Sequence, residues 1–256
     1  MTQSRITFAE LLDEVIREGG KIEQETLAKL KALQPEYFAV IRSYTRADGT
    51  INPSRVNSLY RDLQELEESY SDVLVEKVEE GTSNVSKIVG AFLIDRIFPR
   101  GMKSIEDPFA YLYDREVDGL TLKDRSNIMG GDITDSLRQR MRRSIYRGAQ
   151  SSEVYDHIVD AFEGEEWKAK RLVTSEMNNS YRGQFAETLQ KNGEQYVRFY
   201  ESQWCTHRNH NRHRCHILAN EDRYGLGEGV FKVTDSEIYA PHPQCRGYLG
   251  FYEGGE

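Results

Sequence analysis

Cysteine is nearly missing from this chain: 256 residues hold three, Cys205, Cys215 and Cys245. A small odd count without a secretion signal argues against a disulfide framework. The opening residues, Met-Thr-Gln-Ser-Arg-Ile-Thr-Phe-Ala-Glu, contain no continuous apolar core and carry Glu10, so they do not read as a signal peptide. The longest apolar run, Ile88 to Ile97, is interrupted by Asp95. It falls far short of the ~20 residues that a membrane span needs. The expectation is a soluble protein with no membrane segment, made in a reducing cytoplasm. Internal repeats and low-complexity tracts are also missing. So are the common catalytic templates: there is no P-loop, no Gly-x-Ser-x-Gly and no His-Glu-x-x-His. Nothing helical is expected after Gly225-Leu-Gly-Glu-Gly229, which reads as a flexible loop and not as a phosphate cradle.

Apolar residues are sparse at 38%, charged residues are abundant at 30%, and the net charge is -8. This composition suits a helical protein with wide solvated faces, or an elongated one. The length allows one large domain or two small ones. A negative molecule does not draw nucleic acid to itself as a whole, so any such contact has to come from a local patch.

What the chain does have is a concentration of metal-capable side chains between Trp204 and Gly247. All three cysteines lie there, with five of the six histidines: His207, His210, His213, His216 and His242. Upstream there is only His157, read as a plain helix residue. Zinc takes four ligands in a tetrahedron. One pair is His242-x-x-Cys245, stiffened by Pro241 and Pro243. The other is less defined, because Cys205 and Cys215 are separated by nine residues. The preferred zinc set is Cys205, Cys215, His242 and Cys245, with His207, His213 and His216 as alternates. Competing readings are a solvated basic loop, plain buried thiols, a metal-free packed loop and a catalytic metal.

The rest of the chain reads as helices. Residues 7 to 18 carry Phe8, Leu11, Leu12, Val15 and Ile16 at helical spacing. Thr7 and Glu10 form a capping pair, and Gly19-Gly20 closes the element. A second helix covers about 22 to 33, and a third runs from Glu36 to about Thr45. Asp48-Gly49 is a turn. Asn52 and Pro53 open the longest helical stretch, with Val56, Leu59, Leu63, Leu66, Tyr70, Val73, Leu74 and Val78 on one side. Its acidic run (Glu65, Glu67, Glu68, Glu76, Glu79, Glu80) is a solvated face or an acidic interaction surface. Another helix covers about 83 to 98. Residues 105 to 117 suggest an irregular or short helical element. Thr121, with Asp124 three residues on, caps a helix.

Residues 132 to 147 form a helix with Ile133, Leu137, Met141 and Ile145 as its apolar stripe. Arg138, Arg140, Arg142, Arg143 and Arg147 make it the densest basic patch in an acidic chain. These arginines are candidates to bind nucleic acid or an acidic partner, although cations near a helix C-terminus also complement its dipole. Ser152 opens a short helix, and residues 165 to 192 form the last long one, closed by Gly193. Arg171 and Glu176 on it read as surface or ion-pair groups. Beyond it the pattern alternates. Strands are expected at Glu194–Ser202, at Gly229–Val233 and in the closing Tyr-Leu-Gly-Phe-Tyr.

This order of features resembles the phage head morphogenesis, or minor head, proteins often called Mu F-like. The matching pieces are Gly119 to Arg125, Gly148 to Ser152, Arg171 to Glu176, Gly193, Trp204, Cys215-His-Ile-Leu218 and His242-Pro-Gln-Cys-Arg246, spanning about residues 117 to 250. Position 212 is Arg where the family often has the first cysteine of Cys-x-x-Cys, so Cys205 or His213 would take its place. The resemblance implies a viral structural protein of a tailed bacteriophage, present in few copies in the virion. Such a minor capsid protein associates with the portal inside the head, joins the procapsid in the host cytoplasm, and contributes to DNA packaging, retention or ejection. Its partners would be the portal, scaffold or major capsid protein, and DNA through the basic helix. The acidic N-terminal helices would then face portal or scaffold.

The expected fold is mainly α. An elongated helical region (1–116) and a helical core (117–193) precede a small α+β, Cys/His-rich, zinc-stabilised module (194–256). The expected role is binding and not catalysis. Two alternatives stand beside it. One is a metal-dependent nuclease, with His207, His210 or His213 as base and Asn209 or Asn211 as its orienter. The other is a metal-free helical adaptor.

Overall fold

A computed structural model of the protein describes residues 7–101, 103, 116, 119–202 and 212–254. The element expected at 105–117 falls outside them except for Glu116. Helix α1 (Phe8–Lys31) starts where the sequence expects. Thr7 Oγ1 accepts from the Glu10 amide at 3.2 Å, and Glu10 accepts from the Thr7 amide at 2.6 Å. The helix does not stop at Gly19-Gly20. Glycine costs a helix interior about 1 kcal/mol relative to alanine, and the buried Leu11, Val15, Ile22 and Leu30 on both sides outweigh that. Helix α2 (Gln34–Ser43) carries Pro35 in its first turn.

Asn52 caps as expected, its Oδ1 accepting from the Ser54 amide at 3.2 Å. It opens a single 3-10 turn, and α3 (Val56–Gln64) follows. The long helix expected from Asn52 breaks at Glu65-Leu66, and α4 (Glu67–Arg96) then runs unbroken past residue 81. The glycine there is a contact and not a stop. A Cβ on Gly81 would lie 2.4 Å from Met177 Sδ and 3.1 Å from Ile22 Cγ1.

Helix α5 (Leu122–Tyr146) grows from the Thr121–Asp124 capping box and likewise runs through Gly130-Gly131. A Cβ on Gly130 would stand 2.7 Å from the Glu67 carbonyl oxygen. Helix α6 (Ser151–Lys191) is continuous where the sequence suggests two helices. Gly193, at φ 94°, ends it. The amides of Glu194 and Gly193 return to the carbonyls of Leu189 and Gln190, both at 3.0 Å, a Schellman-type closure.

Three strands follow the helices: β1 (Tyr196–Tyr200), β2 (Val230–Lys232) and β3 (Tyr248–Phe251). They form an antiparallel sheet of order β2-β1-β3. Val197 and Phe199 are buried, while Tyr196, Arg198 and Tyr200 are half-buried, as period-2 alternation requires. Helix α7 (Arg214–Asn220), which the sequence does not predict, lies between β1 and β2 in the chain. The architecture is mainly helical with a small C-terminal sheet, and no helix among the described residues is long and apolar enough to cross a membrane.

The chain folds into two compact units. One takes in Met1–Ile22, Val78–Val117 and Arg171–Glu256, the other Glu23–Lys77 and Asp118–Lys170. The division expected from sequence (1–116, 117–193, 194–256) is linear, whereas both units are assembled from separated pieces. In the first, Leu11, Val15, Val85, Phe92, Met177, Phe185, Phe199 and Leu249 are buried. In the second, Tyr37, Leu59, Leu63, Tyr70 and Phe162 join the stripe Ile133, Leu137, Met141 and Ile145, each of whose members is 0% exposed. The rings of Tyr37 and Tyr70 meet Phe162 edge-on at 5.2 Å and 6.1 Å.

The Gly130 contact yields a paired prediction. Gly130→Ala drives a methyl into a backbone oxygen and should destabilise by about 1–3 kcal/mol. In Gly131→Ala the nearest atom, Glu67 Oε2, is 4.0 Å away, so the variant should gain up to about 1 kcal/mol from helix propensity. Urea unfolding midpoints of the two variants check the opposite signs.

Candidate metal centre

Two local structures converge in the first unit. The first is the turn His242-Pro243-Gln244-Cys245. The Cys245 amide donates to the His242 carbonyl at 3.2 Å, and Gln244 sits at φ 56°. Proline followed by a left-handed residue is the pattern of a type II turn. Glycine usually fills the second place, and a glutamine held there carries backbone strain of the kind that collects at sites. The Ser175 hydroxyl fixes it, accepting from the Gln244 amide at 2.9 Å. The turn places His242 and Cys245 at its two ends, as the flanking prolines lead one to expect. The second structure is the start of α7. His213 caps it in an extended conformation (φ -78°, ψ 137°), and Cys215 lies buried in its first turn.

His213, Cys215 and His242 come together with their donor atoms within 4.8 Å of one another, and this group could hold a metal ion. His213 Nδ1 lies 3.3 Å from Cys215 Sγ, and the rings of His213 and His242 meet edge-on at 4.0 Å. The Cys245 thiol lies beside Cys215 and His242, and both act on its ionisation. Ligands of a tetrahedral zinc stand about 3.3–3.8 Å apart, so a contraction of about 1 Å would close the set. Surrounding groups are arranged to support it. His242 Nδ1 donates to the Pro243 carbonyl at 2.8 Å, which assigns the acceptor role to Nε2 in the neutral ring. The Gly247 amide donates to Cys245 Sγ at 3.4 Å.

The electrostatics run the same way. The neighbouring Cys215 holds the Cys245 thiol well below the usual thiol range; burial opposes this, and His242 and the nearby Arg182 add to it. Burial disfavours the His242 cation, but the neighbouring Cys245 overrides it and raises the imidazole pKa. A thiol that loses its proton readily is the form that binds metal.

Behind the turn lies Arg182 of α6, 0% exposed. Its Nε donates to the Tyr239 carbonyl at 2.7 Å. Its Nη1 donates to the carbonyls of Cys245 at 3.1 Å and Gly247 at 2.6 Å, and Nη2 donates to Asn179 Oδ1 at 2.7 Å. A buried guanidinium thus ties the ligand-bearing turn to the helix. Sequence reasoning missed it, although Arg182 is the only charged residue between Glu176 and Glu187. Glu176 itself is 1% exposed, which corrects its reading as a surface group; Arg171 is exposed.

The other candidates lie as follows. His216 turns its Nδ1 to Glu201 Oε2 at 2.8 Å and is not in the group. Trp204, Cys205, His207, Asn209, His210 and Asn211 lie outside the described residues. Helix α7 follows the His-rich loop. Among the described residues one strand, β1, precedes that helix, and its partner β2 comes after it. His157 is half-buried, its Nε2 3.0 Å from Ser144 Oγ. In the acidic run, Glu76 pairs with Lys29 at 2.6 Å, and Glu65 and Glu68 are solvated. Comparisons with family models, curated proteins and solved structures returned no match.

Cobalt(II) titration distinguishes members of the group from bystanders, because thiolate ligation gives a charge-transfer band. Cys215→Ser and His242→Ala should weaken cobalt binding by at least about tenfold, the low end for disturbing even a supporting group. His216→Ala should leave both band and affinity unchanged.

Proposed function

We propose that this chain is a minor head protein of a tailed phage that acts by binding, with a C-terminal module closed around one zinc ion. The observation that carries the reading is the donor set. His213, Cys215 and His242 bring two imidazoles and a thiol within 4.8 Å of one another, and with the neighbouring Cys245 as fourth ligand a tetrahedral ion would have no position left for substrate. That is the character of a structural site. Bound there, zinc would cross-link the start of α7 to the 242–245 turn.

The family reading is supported by where the resembling segments fall. Gly119 to Arg125 contains the capping box of α5. Gly148 to Ser152 makes the turn into α6, and Gly193 ends that helix. Cys215 to Leu218 lies in α7, and His242 to Arg246 spans the ligand turn. Each is a framing position of the fold and not a reacting group. On this reading the partners are the portal and the scaffold or major capsid protein, and the protein resides in the head after assembly in the host cytoplasm.

Quantitative mass spectrometry of purified particles of the phage that encodes the chain tests this. The expected result is a small, fixed number of copies per particle. Absence from particles would remove the virion role.

A further inference from the structure

The C-terminal half of α5 carries two parallel rows of side chains. Residues four apart share a helix face. Arg138, Arg142 and Tyr146 form one row, with Gln139, Arg143 and Arg147 beside it. The rows extend about 12 Å along the axis. Gln139, Arg142, Arg143, Tyr146 and Arg147 line an open depression of about 520 Å³.

The arginines there are not equivalent. Arg138 is held by Gln64 Oε1 at 2.8 Å and Asp135 at 3.4 Å, with its guanidinium 5.9 Å from the centre of the Tyr60 ring. Arg147 pairs with Glu153. Arg140, outside both rows, pairs with Asp160 at 3.5 Å. Arg142 and Arg143 are exposed, and neither has an ion-pair partner among the described residues. Tyr146 is 63% exposed. Tyr60 of α3 adjoins it: burial raises the Tyr60 phenol pKa, Tyr146 adds to the rise, and Arg142 and Arg138 oppose it.

The negative end of a helix accounts for one cation in its last turn, at about 0.3–1 kcal/mol. It does not account for uncompensated charge beside a bare aromatic ring. An acidic protein surface would use the guanidinium groups but not the ring. A duplex would engage the same groups through its phosphates and keep its bases stacked away from Tyr146. A single strand uses both, its phosphates on arginine and a base on the tyrosine face.

We propose that this face of α5 binds single-stranded nucleic acid, with Arg142 and Arg143 on phosphates and Tyr146 stacked on a base. The proposal is independent of the zinc site and of the head-protein reading.

Fluorescence anisotropy of the full chain with a labelled single-stranded oligonucleotide tests it, with the matching duplex and polyglutamate as competitors. The Arg142→Gln, Arg143→Gln double variant should bind at least about tenfold more weakly. Its log–log salt slope should fall by about 1.4, two phosphates at ~0.7 each. Tyr146→Ala should lose about fivefold or more, Tyr146→Phe should bind normally, and Arg140→Gln should be unaffected. All four positions are at the surface, and unchanged melting curves would establish that the variants fold. Absence of binding by the unmodified chain would overturn the proposal. So would full affinity in Tyr146→Ala, or polyglutamate competing as well as the oligonucleotide, either of which would assign the face to an acidic protein. Duplex competing as strongly as single strand would overturn it as well.

Discussion

A single buried cation organises the C-terminal part of this protein. Removing a guanidinium from water costs several kcal/mol, and Arg182 has no exposure at all. The fold tolerates it because three backbone carbonyls, from Tyr239, Cys245 and Gly247, and the Asn179 side chain converge on it. The planar fork of arginine can serve several acceptors at once. The converse also holds: the 239–247 segment has little regular structure of its own, and its carbonyls need donors. Helix α6 supplies them from one side chain. The position of the His242–Cys245 turn, and with it half of the metal group, therefore follows from a residue on a helix.

A metal held by His213, Cys215 and His242 would add a second fastening of different chemistry. Arg182 joins the turn to α6, while a metal shared by His213, Cys215, His242 and Cys245 would join it to α7. Around the pair, Glu237 receives both Arg214 of α7 and Arg223, and the Tyr181 hydroxyl donates to the Leu249 carbonyl of β3 at 2.6 Å. The three strands pair with one another along short ladders, and these loops lie outside them. Cross-links from side chains do the work that a larger sheet would do elsewhere. This also explains how so little cysteine suffices: both described thiols serve one locus.

Much of the helical fold was legible because it rests on local signals. The stripe Ile133, Leu137, Met141, Ile145 is buried throughout, and the boxes at Thr7 and Thr121 cap as written. Helix lengths were not legible, for one physical reason. The helix boundaries expected between Val78 and residue 83, and before residue 132, fall at Gly81 and Gly130, yet each glycine is where another segment comes too close for a Cβ. That information lies in tertiary contacts and not in the local sequence. At the site, the two prolines around His242 announced the rigid turn. The choice among His213, Cys205, His207 and His216 could not be read from spacing, since it depends on where α7 begins and on Glu201 drawing His216 away. Arg182 stayed hidden because arginine in a highly charged chain reads as surface. Its one signal is the uncharged run on both sides, the mark of a helix buried all round.

That Arg182 fastens the 239–247 segment is tested by amide hydrogen exchange in the full chain with and without Arg182→Met. Exchange reports local opening residue by residue. Amides from Cys245 to Phe251 should lose protection by about 100-fold or more, roughly 2.7 kcal/mol, while amides of α2 and α3 keep theirs. Equal protection of that segment in both proteins would contradict it.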